Sequence, residues 1–226
     1  FAALGTLEGP YFRFIEDEPA ALAGFRRSQI QFLFAVRSFP RSLAYLAARI
    51  EDSAARLALV RNLWEEHGEG DPSGFHVLTF DAFLRRLGVD GAQIDAATPG
   101  PEVTAFNVAL HGLAVAENLP VAASALGMIE FMFSSISARL AVVALARGWV
   151  ERDRMIHYDL HSKLDVEHAS ELFEVVRSSW RTEEGRAEIA RGIDLGGYLF
   201  DRLYEDLARE ARRATPAGTR REAICA

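Results

Sequence analysis

The sequence predicts an all-α fold, a bundle of about seven or eight helices forming a single domain over residues 1–226. Three observations carry this. Ala, Leu, Arg and Glu are abundant, and apolar residues recur every three or four positions almost throughout. Runs of alternating β-branched residues are absent, and Gly- and Pro-rich clusters punctuate the helical pattern at intervals. At 226 residues and 50% hydrophobic composition, the chain has enough apolar surface for one sizeable core.

The first long helical pattern runs over residues 20–50, with Pro19 at its first turn and Pro40 in RSFPRSL expected to kink or divide it. A second covers 52–66. HGEGDPSG is the strongest breaker, and the pattern restarts over 75–87. GVDGAQIDAATPGP breaks it again, and two helices follow at 102–118 and 120–150, with Pro120 at a helix start. The second is apolar on nearly every face and must be buried. A further helix is expected from about Met155 to Trp180 and a last one over 183–213, with a frayed tail from about 214. No internal repeat and no domain linker is apparent.

Lys and Arg number 25 against 32 Asp and Glu, so the net charge of −7 offers no attraction for nucleic acid or an anionic membrane. The single cysteine, Cys225, excludes a disulfide framework, a thiolate cluster and a cysteine nucleophile within the fold, and suits a reducing cytoplasm. No membrane span is expected, because residues 120–150 are interrupted by Glu130, Arg139 and Arg147. The start, FAALG, lacks Met and a signal-peptide layout and reads as a trimmed end.

The chemistry concentrates in HSKLDVEH. At about 100° per residue, His161, Asp165 and His168 fall within a sector of about 60°, so two imidazoles and a carboxylate share one helix face. The spacing of Asp165 and His168 is the one helical-bundle diiron proteins use for a carboxylate and a histidine reaching a shared core site. A solvated helix face carries the same residue types, so the metal reading needs ligands from elsewhere. Glu130 supplies one: it lies in ALGMIEFMF, where a carboxylate must be paired, protonated or bound to a cation. A salt bridge to Arg139 is the competing account. Glu66 closes one helix and His76 opens the next, so the turn between them lets both face one interior; Glu65 and Glu69 compete as the inward acid. Carboxylate with imidazole and no thiolate suits iron or manganese over structural zinc, and six ligands suit two ions.

NLWEEHGEGDPSGFH, ALGMIE and LHSKLDVEHASELF, in this order, resemble the heme-oxygenase-like diiron oxidase and oxygenase superfamily, with its TenA/PqqC-like helical fold. The resemblance runs from about Gln31 to Trp180. It implies that Glu66, His76, Glu130, His161, Asp165 and His168 hold two iron ions (Fe2+/Fe3+) in a bridged site, with O2 as co-substrate and an external reductant. It further implies a homodimer that oxidises a small molecule. An amino acid or amino-acid-derived metabolite of natural-product biosynthesis is expected, undergoing N-oxygenation, C–C cleavage or nitrile formation. Decarboxylation of a fatty acid to a terminal alkene is an alternative, as is a metal-free TenA-like hydrolase or small-molecule binder. The branch that forms para-aminobenzoate places a sacrificial tyrosine where this chain has Ile129, which argues against that chemistry. A ferritin-like bundle would show two Glu-x-x-His pairs, and a structural helical protein would use these residues as buried polar pairs.

Other candidates follow from position. Glu117 and Glu171 are candidate hydrogen-bond acceptors for His161 and His168. Phe131, Met132, Phe133, Phe80 and Trp64 suggest an apolar substrate region, though plain core is the simpler account. Arg37 and Arg41, or Arg177 and Arg181, could hold a substrate carboxylate or be solvated surface. His157, one turn before His161, could compete as a ligand; His67 is expected at a helix end and His111 in a packed helix.

Overall fold

The breakers in the sequence set the helix boundaries of the computed structural model, which describes residues 5–213. Among these residues there are nine α-helices and no β-strand: α1 (Pro10–Asp17), α2 (Ala21–Ala47), α3 (Ser53–Glu66), α4 (His76–Arg86), α5 (Gly91–Ala96), α6 (Pro101–Ala116), α7 (Leu119–Ala146), α8 (Ile156–Val175) and α9 (Glu183–Arg213). The expected all-α class holds. Local chemistry explains the starts: Asp52 caps α3 by accepting the Ala55 N–H at 2.7 Å, and proline occupies the first turn of α6 and of α7.

Three expectations are corrected, and one helix is added. Pro40 does not divide α2, which continues through it as one 27-residue helix. The stretch before Ala20 forms α1, started by Gly9–Pro10, and the second breaker region contains α5, held by a reciprocal capping box between Asp90 and Gln93. The helix carrying the His-Asp-His face ends at Val175, short of Trp180, which sits in a separate 3-10 turn. Cys225 and the tail from 214 lie outside the described residues.

α7 is the central helix, with α8 and α9 packed along it and α2 lying across α6 and α9. By length and composition its 28 residues are enough to cross a membrane, so the expectation that no such segment exists is also corrected. Two-thirds of its most apolar window, 67%, is buried inside the protein, and the helix serves here as core. The fit to α9 is close. A Cβ at Gly192 would meet the Val121 carbonyl at 2.4 Å, and one at Gly196 the Ala125 carbonyl at 2.3 Å. These two glycines, one turn apart, let the backbones of α7 and α9 touch.

A buried polar network ties the first helices to α8. The Gln29 side-chain amide donates to the Tyr11 hydroxyl at 2.7 Å, Tyr158 donates to the Gln29 amide oxygen, and Tyr11 meets Ser28 at 2.9 Å. Because Tyr158 adjoins His157, this network fixes the rotation of α8 about its axis. Replacement Gly196→Ala is expected to cost about 1–3 kcal/mol, since the neighbouring atoms are backbone and cannot rotate away. Urea denaturation of the variant beside the wild type measures it.

Candidate metal centre

The loop between α3 and α4 assembles the first half of the site. Residues 68–70 turn back sharply, with Gly68 at φ 61°, Glu69 at 54° and Gly70 at 87°. A Cβ on Gly68 would lie 2.5 Å from the Gly74 carbonyl carbon, so glycine is needed on both conformational and steric grounds. The crossing pairs His67 with Phe75 in an isolated antiparallel bridge. It thereby sets Glu66 at the last turn of α3 opposite His76 at the first turn of α4, with His76 Nδ1 3.0 Å from Glu66 Oε1. Both are buried. Glu69 is exposed on the loop and Glu65 half-buried, so Glu66 is the inward acid.

α8 supplies the second half. His157, His161, Asp165 and His168 lie on its buried face, and Glu130 of α7 points at them. His168 Nδ1 stands 3.7 Å from Asp165 Oδ1 and 3.9 Å from Glu130 Oε1. Asn62 of α3 donates to Glu130 at 3.3 Å. The alternative partner of Glu130, Arg139, instead pairs with Glu16 at 2.6 Å. The six residues thus form two groups, Glu66–His76–His161 and Glu130–Asp165–His168, each with one ligand atom per residue within 4.8 Å of the others. The groups touch through His161 Nδ1 and Asp165 Oδ1, 2.8 Å apart.

Several of these atoms have no hydrogen-bond partner among the described residues: His161 Nε2, Asp165 Oδ2 and His168 Nδ1. Buried polar atoms are ordinarily paired. Three carboxylates and three imidazoles, with no thiolate among them, are a donor set that fits ferrous or manganous ions. The electrostatics agree. Burial, with the charges of Asp165 and Glu66, pushes the Glu130 carboxyl up to about 8. Burial alone would lower His168, but the Asp165 carboxylate beside it, the Glu130 charge and its bond to Glu65 carry it up to about 10. His161 is raised in the same way against its burial, chiefly by Asp165. Asp165 itself is held low by His161 and His168 despite burial. Such a cluster calls for a cation or for protons in its place.

Glu65 completes the second group from outside. Its carboxylate sits 2.7 Å from His168 Nε2, which fixes a proton there and leaves Nδ1, facing Glu130 and Asp165, as the nitrogen a metal would take in exchange for a proton. Glu117 and Glu171, the expected acceptors, are engaged elsewhere, with Arg191 and Arg61. Glu65, Asn62 and this tautomer were not expected from the sequence, because the rotation of α3 against α8 decides them.

A cavity of about 50 Å³ adjoins the site, bounded by Glu66, Glu130, His157 and His161 and walled by Phe32, Phe39, Phe106, Phe133 and Phe200 with Ile129. Of the expected aromatic residues only Phe133 lines it. Phe80 and Met132 are core, Phe131 is partly exposed, and Trp64 lies exposed against Gly70. Arg37 and Arg41 border a separate groove of about 290 Å³ that shares Val36 and Glu66 with the cavity wall. Arg177 and Arg181 are on the exposed surface, Arg177 pairing with Glu174. His67 caps the end of α3, and His111 on α6 meets Ser38 at 3.0 Å, as expected. His157 belongs to neither ligand group.

A buried carboxylate and imidazole centre between helices is the setting of a metal-dependent redox protein, and sequence comparison agrees. Residues 26–197 match the model of the iron-containing redox enzyme family, and the chain belongs to that family. No curated protein matches it. Among solved structures it is similar to a CADD-like protein of unknown function from Nostoc punctiforme PCC 73102, at 16% identity and TM-score 0.76, covering 93% of this chain and 91% of that one. A domain of unknown function with a heme oxygenase-like fold from Shewanella denitrificans OS217 gives 17% and 0.74, covering 93% and 89%. A TenA family transcription regulator from Silicibacter sp. TM1040 gives 12% and 0.59, covering 94% of each. The fold is therefore heme oxygenase-like, as the sequence resemblance implied.

The raised Glu130 and His168 values set a pH dependence. Each group binds its proton more tightly folded than unfolded, so the stabilisation they give is complete at low pH and is lost as pH rises, through about 8 for Glu130 and about 10 for His168. The melting temperature in chelator is expected to fall from pH 6 to pH 9, and Glu130→Gln to flatten the slope. Added Fe(II) should raise it most at the alkaline end, where fewer protons compete. Glu65→Ala should weaken metal binding about 10–100-fold, measured by competition with a chromophoric chelator.

Proposed function

We propose that this iron-containing redox enzyme is a non-heme diiron oxygenase or oxidase, with Glu66, His76 and His161 around one ion and Glu130, Asp165 and His168 around the other. The observation that carries the reading is the contact between two buried three-ligand groups, three of whose polar atoms have no partner among the described residues. Iron bound there would supply the redox electrons and activate O2 as co-substrate, an external reductant restoring it. The protein's part is positional. Glu65 holds the His168 tautomer, Asn62 steadies Glu130, and the α3–α4 loop clamps Glu66 against His76. The phenylalanine walls keep bulk water from the oxidising centre, where it would quench reactive species.

The substrate in this reading is a small molecule held in the cavity beside Glu66 and Glu130, an amino acid or amino-acid-derived metabolite of natural-product biosynthesis. The phenylalanine lining supports a second reading, a fatty acid decarboxylated to a terminal alkene, because an alkyl chain suits such walls. The enzyme is taken to act as a cytoplasmic homodimer. Anaerobic titration with Fe(II), followed by O2 exposure in stopped-flow absorbance, tests the proposal. About two irons per chain and a transient visible band, both reduced in His168→Ala, are expected. No iron uptake and no oxygen-dependent band in the wild type would favour a metal-free, TenA-like binder or hydrolase.

A further inference from the structure

His157 is the buried polar residue at this site that the six-ligand assignment leaves unused. It is 1% exposed and lines the cavity beside Glu66, Glu130 and His161. Its ring is packed by aromatic neighbours, with centroids 4.8 Å from Phe80, 5.3 Å from Tyr158 and 4.3 Å from the His161 ring. An all-carbon ring would fill that space without burying a polar edge, so packing does not explain the imidazole.

The hydrogen bonds assign its tautomer. Thr79 has one hydroxyl proton, and it is given to the His76 carbonyl at 2.8 Å. The same oxygen lies 2.9 Å from His157 Nδ1 and can there only accept, so Nδ1 carries the hydrogen. Nε2 has no partner among the described residues. With Nδ1 spent on Thr79, Nε2 is the polar atom His157 has left to offer at a cavity whose other polar lining residues are Glu66, Glu130 and His161. It is not a member of either ligand group, which leaves it for a bound molecule.

We propose that His157 Nε2 accepts a hydrogen bond from an N–H or O–H group of the substrate, making His157 a specificity-determining residue for molecules that carry such a donor at their buried end. The proposal rests on the diiron reading, in which this cavity is the substrate pocket and Glu66, Glu130 and His161 are occupied by metal. The ligand class is a small apolar body bearing an alcohol, amine, amide or guanidine hydrogen. A carboxylate at that end is excluded, because its oxygens and the Nε2 lone pair are both acceptors. Thr79 is the positioning residue that keeps the lone pair in place.

The test is ¹⁵N NMR of histidine-labelled, Zn(II)-loaded full chain, with 1-butanol, 1-chlorobutane and butyrate as probes. The expected result is a protonated Nδ1 and a bare Nε2 at His157. The Nε2 signal should move with 1-butanol and stay fixed with the other two. His157→Phe should reduce the preference for 1-butanol over 1-chlorobutane about tenfold, and His157→Gln, which retains an acceptor oxygen, should restore part of it. Thr79→Val should release the tautomer. A protonated Nε2, a signal that 1-butanol leaves unmoved, or an unchanged preference in His157→Phe overturns the proposal. Failure of Zn(II) to shift His76, His161 and His168 would count against the diiron reading instead, and the His157 signal, followed in the metal-free chain, is decided separately.

Discussion

Three carboxylates and three imidazoles buried together cannot all hold their ordinary charge states, and the fold is arranged around that constraint. Glu130 sits in the most apolar helix of the chain, and its carboxyl is pushed up to about 8 by burial and by neighbouring acids. The charge of such a group must be balanced by a proton or a metal ion. The imidazoles nearby do this in the metal-free state, His161 against Asp165 and His168 against Glu65, Asp165 and Glu130. The same lone pairs are what an iron pair would use, so the protons that stabilise the apoprotein are the competitors of the metal.

Meeting this constraint requires rigid support, which the packing of α7 provides. Gly192 and Gly196 bring α9 against its back, while Gly127 receives Leu172 and Phe173 of α8 at its front. The Tyr11–Gln29–Tyr158 network then fixes α8, so that His157, His161, Asp165 and His168 face inward together. Rigid helices and a single strained loop at 68–70 thus place ligands drawn from four helices.

Much of this was legible from the sequence, for identifiable reasons. Gly- and Pro-rich clusters mark the ends of α3 and α4, and a strong helical period reveals the shared face of His161, Asp165 and His168. An acid within an apolar run singles out Glu130. The short helices α1 and α5 were hidden because each is too brief to show a period. The distinction among Glu65, Glu66 and Glu69 depends on helix rotation and on one reversed loop, neither of which is encoded in spacing. For the same reason Glu117 and Glu171 looked suitable as histidine partners, although Glu65 fills that place, and Phe32, Phe39, Phe106 and Phe200 gave no local signal of sharing a cavity.

The central claim, two ions in two adjoining ligand groups, is most directly tested by anomalous diffraction at the iron edge from crystals loaded with Fe(II) under anaerobic conditions. The account predicts two peaks, one among Glu66, His76 and His161 and one among Glu130, Asp165 and His168. Iron found outside these groups, or no iron in either group at saturating metal, would contradict it.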